Sequence, residues 1–205
     1  ASVSSSFNNA TPYGAATPNR TGGSFRVGTD TTYKAIEASA KLAWFTEIQG
    51  EGTVDLRQFM VISGGANAHL GKLLNVKRLI DVNAGVRYET TARGGDASVS
   101  YTSMLIDAGF AVEILKKIDL LGGLKYLAAE GNEYAATRDG FGLIASFDPY
   151  DLNINETIIS AGARIRFTPF QSFAVNYNMT SFAHNTVTNS NYNLGQLFLN
   201  YTGKF

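Results

Sequence analysis

The residues with the widest chemical scope are few. The chain of 205 residues holds two histidines, His69 and His184, and no cysteine. Thiolate nucleophiles, disulfides and cysteine-ligated metals are therefore excluded. His184 has Ser181 and Thr186 close by, and Glu156 falls at the same end of a neighbouring predicted strand. A hydroxyl, an imidazole and a carboxylate are the parts of a nucleophilic hydrolase, in which the imidazole takes the hydroxyl proton and the acid orients the ring. Nothing in the spacing fixes the hydrogen bonds which that chemistry needs, and no catalytic residue is assigned. The two histidines fall at opposite ends of their strands, a poor arrangement for a metal. No metal and no cofactor is expected. Gly64-Gly65 and Gly94-Gly95 lack the strand–loop–helix setting of a phosphate cradle.

A larger constellation is electrostatic. Glu37, Lys41, Asp81, Arg87, Glu89, Asp107, Glu113, Lys125, Arg164 and Arg166 fall on one parity of alternating segments, interspersed with Gly65, Gly85, Gly109, Gly123 and Gly162. Long charged side chains beside glycines suit a narrow interior, where each large group needs an empty neighbour. Buried charges must be paired, and this face carries acids and bases in equal number. It reads either as a salt-bridged plug or as a gated or proton-linked path. Over the whole chain 17 basic residues balance 17 acidic ones, so the basic footprint of a nucleic-acid binder is absent.

These charges are positioned by strands. Period-2 alternation, with two chemically different faces, runs through most of the chain. The predicted strands are 33–45, 54–73, 79–91, 103–114, 120–128, 154–167, 172–182 and a last one ending at the terminal residue. Against the charged face stand Ile36, Leu42 and Trp44 in the first, Ile80, Val82 and Val86 in the third, and Met104, Ile106 and Phe110 in the fourth. Residues 1–23 are rich in Ser, Thr, Asn, Pro and Gly and read as a flexible N-terminal segment, with 24–205 forming the folded domain. If 1–9 and 24–29 also pair, the strand count rises from about eight to ten, and the wider lumen favours a pore.

The inside–outside chemistry favours a transmembrane β-barrel over a soluble sandwich. Short connections at 75–78, 115–118 and 168–171 alternate with longer ones, the longest spanning 130–153, as in outer-membrane barrels with short periplasmic turns and long external loops. Eight strands would put both chain ends on the periplasmic side. Trp44, Tyr88 and Tyr126 fall toward the external strand ends, and Phe167, Phe173, Tyr201 and Phe205 toward the other, as two aromatic girdles. The loop 130–153, with Tyr134, Arg138, Phe141, Phe147 and Tyr150, is the candidate partner surface, or else an extension of the strands above the membrane. No run of ~18 apolar residues occurs, which excludes a transmembrane helix but not barrel strands.

The C-terminal stretch LGQLFLNYTGKF resembles the terminal β-signal of bacterial outer-membrane proteins, in which hydrophobic residues alternate up to a final aromatic. Leu197, Leu199, Tyr201 and Phe205 match, while Gly203 stands where a bulky residue is common. The resemblance implies the barrel-assembly machinery as a folding partner. By length and strand number, residues 33–205 resemble the small OmpA/OmpX/OmpW-like barrels. The expected fold is thus all-β, a closed antiparallel transmembrane β-barrel of about eight strands in the bacterial outer membrane. Its expected partners are outer-membrane lipids, the assembly machinery and a protein at the external loops, with no nucleic acid. The expected function is structural or interactive, with loops displayed on a filled barrel. A narrow or ligand-conducting pore is the alternative. Lipid-modifying enzymes also use such barrels, but His184-Asn185-Thr186 departs from the His-x-Ser pattern of the lipid A deacylase family, and the chain is not expected to be an enzyme.

Overall fold

The computed structural model describes residues 20–29, 35–48, 55–95, 98–187 and 190–203; at 133–136, 138, 144 and 147 it describes the backbone alone. The described chain is all-β apart from one helical turn. Its strands are β1 (Arg20–Gly28), β2 (Ile36–Glu47), β3 (Gln58–His69), β4 (Ile80–Arg93), β5 (Val99–Leu115), β6 (Ile118–Arg138), β7 (Ile144–Thr168), β8 (Gln171–His184) and β9 (Tyr192–Gly203). They form one 9-stranded sheet in sequential order, every neighbour antiparallel. The helical turn α1 (Leu70–Leu73) lies between β3 and β4.

Alternation decides which way each strand faces, because a shift of one residue would reverse every side chain. The register keeps one parity together across the sheet. Ala43 lies opposite Val61, Val61 opposite Glu89, Glu89 opposite Ser103, and Ser103 opposite Ala129. Side chains on this face are the more covered, and Ala43, Phe59, Leu127 and Ile158 on it are buried. The cover comes from the sheet's own curl. Glu113 on β5 reaches Arg166 on β7, across β6, at 3.0 Å. Arg20 on β1 lies over the Phe59 ring on β3, across β2, at 3.7 Å. The sheet is thus concave on the charged face and convex on the apolar one.

The structure bears on four parts of the sequence reading. Among the described residues the strand count is nine rather than about eight, because Arg20–Gly28 pairs fully with β2; four of its residues fall inside the segment read as a tail, of which 1–19 lie outside the described residues. The tight turn expected at 75–78 is a longer connection built around α1, with Asn75 at a positive φ of 54°. The segment 130–153, read either as a loop or as an extension of the strands, is the second, a hairpin. β6 (21 residues) and β7 (25 residues) stay paired from Ile118 and Ile165 up to Arg138 and Ile144. Finally, among the described residues Arg20 and Gly203 lie at opposite ends of the sheet; where the two chain ends themselves lie falls outside the described residues. Gly203 lies at the turn end, where Lys116-Lys117 and Pro169-Phe170 join strands, and Arg20 lies at the opposite, loop end. Among the described residues β1 and β9 each pair on one side only, and the sheet is not closed.

Candidate functional site

Among the described residues charged groups gather on the concave face, which has three zones. At the turn end, Asp119 on β6 is completely buried and holds two guanidinium groups from β7. Arg164 donates from Nε at 2.8 Å and Arg166 from Nη2 at 2.9 Å. Arg166 also meets Glu113, whose carboxylate accepts the backbone N–H of Lys117 at 2.9 Å. One network therefore ties three strands to the β5–β6 turn. His69 Nδ1 and Asp81 Oδ1 lie 2.8 Å apart nearby, on β3 and β4.

The middle zone holds a cavity of about 600 Å³ lined by Arg26, Glu37, Lys41, Asn67, Asn83 and Asp107 among others. Room for these polar groups comes from glycine. A Cβ on Gly85 would stand 2.5 Å from Asp107 Oδ1, and one on Gly109 would stand 2.7 Å from Asn83 Oδ1. Both contacts are too close for real carbon atoms, so a side chain at either position would push the Asp107 carboxylate or the Asn83 amide aside from its place along the wall.

The loop-end zone is filled. Leu127 and Ile158 pack with Leu105, while Tyr101, Ala129 and Ile154 pack with Leu152 and Phe182. Arg87 pairs with Glu89, which is buried. Arg57, Arg93, Glu156 and His184 are buried here too. His184 Nδ1 lies 3.0 Å from Thr186 Oγ1.

All ten charges singled out from the sequence, from Glu37 to Arg166, lie on this face by register. The structure joins Glu113, Arg164 and Arg166 in one network, while Arg87 meets only Glu89 among them and Glu37, Lys41 and Asp107 share the cavity. Alternation was not followed across the Lys116-Lys117 turn, so Asp119 was missed; its odd number, like those of Gly123 and Lys125, was the available signal. Arg20, Arg26 and Arg93 were missed because they flank or precede the segments read as strands; Arg57, inside the segment 54–73, was passed over although its odd number matches that of Phe59 on the concave face.

Of the hydrolase parts, Thr186 Oγ1 meets His184 Nδ1, but Ser181 does not join them. Ser181 sits opposite Thr157 and Asn193 on the convex face, whereas His184 and Glu156 are on the concave face. Trp44, Tyr88 and Tyr126 lie on the convex face of the strands, as do Phe167, Phe173 and Tyr201 nearer the turn end; Phe205 lies outside the described residues. Leu197 and Leu199 also face outward, each 64% exposed. Of the candidate partner residues, Phe141 at the hairpin tip is 92% exposed and Tyr150 is exposed on β7, while the side chains of Tyr134, Arg138 and Phe147 lie outside the described set. The tip turn is fixed by Asp139 Oδ1, which accepts the N–H groups of Phe141 and Leu143, both at 2.9 Å. Among the described residues no group of three metal-ligating side chains occurs.

No protein-family model, no curated protein and no solved structure matches the chain.

Proposed function

We propose that this sheet is the wall of a transmembrane β-barrel in the bacterial outer membrane, with a structural or interaction role and a hairpin displayed beyond the bilayer. One observation carries the reading. The convex face presents Phe25, Leu42, Trp44, Ile62, Val86, Ile106, Phe110, Leu124, Ile159 and Leu199, all at least 40% exposed, and no charge interrupts them between β1 and β5. Soluble monomers rarely leave an apolar surface of this extent in water. In a bilayer the same face meets hydrocarbon, and the charges lie on the wall of the lumen. No described helix is long and apolar enough to cross a membrane, which says nothing about strands.

In this reading the turns at Lys116-Lys117 and Pro169-Phe170 are periplasmic and the β6–β7 hairpin is external. β6 and β7 leave their other partners near Asn132 and Ile154, and the remaining paired stretch rises about 20 Å further at ~3.4 Å per residue. Lipids surround the belt, and the assembly machinery reads the last strand.

The cavity of about 600 Å³ favours a second reading, a narrow pore. Planar-bilayer recording separates the two. A silent membrane is expected for the filled barrel. Reproducible conductance steps, reduced when Lys125 or Arg164 is substituted, would establish the pore instead. Migration on a gel before and after heating tests the barrel itself. A compact band that shifts on boiling is expected, and a single heat-insensitive band would count against closure.

A further inference from the structure

We propose that the rim at the turn end of the sheet binds the phosphate headgroups of anionic phospholipids in the adjoining leaflet. The inference rests on the barrel reading and adds a lipid preference to it. Three connections at this end are described: 70–79 between β3 and β4, Lys116-Lys117 between β5 and β6, and Pro169-Phe170 between β7 and β8. They hold Lys72, Lys77, Arg78, Lys116 and Lys117, with no aspartate or glutamate. The described connections at the loop end hold Asp55, Arg57 and Asp139. Among the described residues the excess of positive charge in the connections thus belongs to one rim.

Backbone contacts gather these cations. The N–H of Glu113 donates to Leu79 O at 2.8 Å, one step beyond the Ile80–Val112 pair, which brings Arg78 beside Ile114 and the Lys116-Lys117 turn. Lys117 O accepts the N–H of Arg166 at 2.8 Å, and Lys117 Nζ donates to Phe167 O at 3.1 Å, so the third connection joins the same rim. The α1 turn is pinned as well. Val76 N–H donates to Gly71 O at 2.8 Å, and a Cβ on Gly71 would overlap the Arg78 carbonyl. Lys117 holds a φ of 70°, which glycine or asparagine adopts more easily. The turn alone does not account for a lysine there.

The acids at this end are already engaged. Asp119 holds Arg164 and Arg166, Glu113 holds Arg166 and the N–H groups of Leu79 and Lys117, and Asp81 meets His69. All five cations are exposed, and among the described residues Lys77, Arg78 and Lys116 make no ion pair. Apolar groups stand among them: Leu73, Leu74, Ile114 and Leu115 are each at least 46% exposed. Such a mixture suits the boundary of headgroup and hydrocarbon, where a lysine stem lies along acyl chain and its ammonium reaches a phosphate. A nucleic acid would meet the cations but leave the leucines in water.

Brominated acyl chains read the lipid beside a tryptophan. Trp44, the only tryptophan, lies toward the loop end of β2. A Trp44→Phe/Phe170→Trp chain moves the probe to the rim, where Phe170 is 64% exposed. Each chain is reconstituted into phosphatidylcholine vesicles with a fixed fraction of brominated phosphatidylglycerol or of brominated phosphatidylcholine. Both leaflets have one composition, so insertion in either direction gives the same reading. The phosphatidylglycerol is expected to be enriched about fivefold at the rim probe and not at Trp44. Lys77→Gln, Arg78→Gln and Lys116→Gln together should remove the preference while brominated phosphatidylcholine still quenches. Lys116→Gln alone, in an exposed turn, should lower it about twofold. Equal quenching by the two lipids at the rim would overturn the inference and leave the barrel reading standing. So would an equal preference at Trp44, or one that survives the substitutions. Quenching by neither lipid at either site would overturn the barrel reading and this inference with it.

Discussion

A single carboxylate, Asp119, organises the turn end of the concave face. It is buried and accepts charge-assisted hydrogen bonds from Arg164 and Arg166. Such bonds are worth about 1.5–3 kcal/mol each where well formed, and removing one partner of a buried pair strands the other. Both arginines keep about a third of their surface in solvent, which softens that cost. Asp119→Ala is expected to destabilise the fold by about 2 kcal/mol, read from the urea midpoint at which the compact gel band disappears. Glu113→Gln, at a more exposed group, should cost less. Equal losses would show that the network is not centred on Asp119. The residue was legible by parity alone, since odd positions in β6 face inward, but a reading that starts from clean alternation stops at turns. Ser181 shows the opposite case. Its closeness in sequence to His184 suggested chemistry, and its parity placed it on the other face of the same strand.

At the scale of elements, the two faces follow from the alternation that the sequence displays, and every strand predicted from 33 onward has a counterpart in the sheet with the same parity facing out, except that Leu70 falls in α1 and Phe205 lies outside the described residues. The sequence failed where the physical constraint behind alternation lapses. Beyond Asn132, the β6–β7 hairpin has no third strand beside it among the described residues. Neither of its faces has a core to meet, so no periodicity is imposed on it and it reads as a loop. It should therefore contribute little to the fold. Replacing residues 135–148 by a two-residue turn is expected to leave the unfolding midpoint within about 0.5 kcal/mol of the parent, and a collapse of the compact band would contradict this. The convex face gives a sharper test. Ile106→Arg places a charge in the middle of the belt. In lipid it should cost about 2–4 kcal/mol. If that face were simply solvated, the same change would stay within about 0.5 kcal/mol and improve solubility.

For the whole molecule, composition and alternation gave the all-β sheet, its antiparallel order and the separation of charge from apolar surface. They did not give the strand count, because β1 is short and its Thr-Gly-Gly start carries almost no pattern. Among the described residues the two edge strands, β1 and β9, run the same way. The central claim, that the convex face meets lipid, can be tested with the chain as it stands. Trp44 is the only tryptophan, and it is 53% exposed on that face. Its fluorescence is to be measured after reconstitution into vesicles whose lipids carry bromine on the acyl chains. The account predicts blue-shifted emission that the brominated lipids quench strongly and aqueous iodide quenches weakly. Emission at the wavelength of water-exposed tryptophan, indifferent to bromine and quenched by iodide, would contradict it.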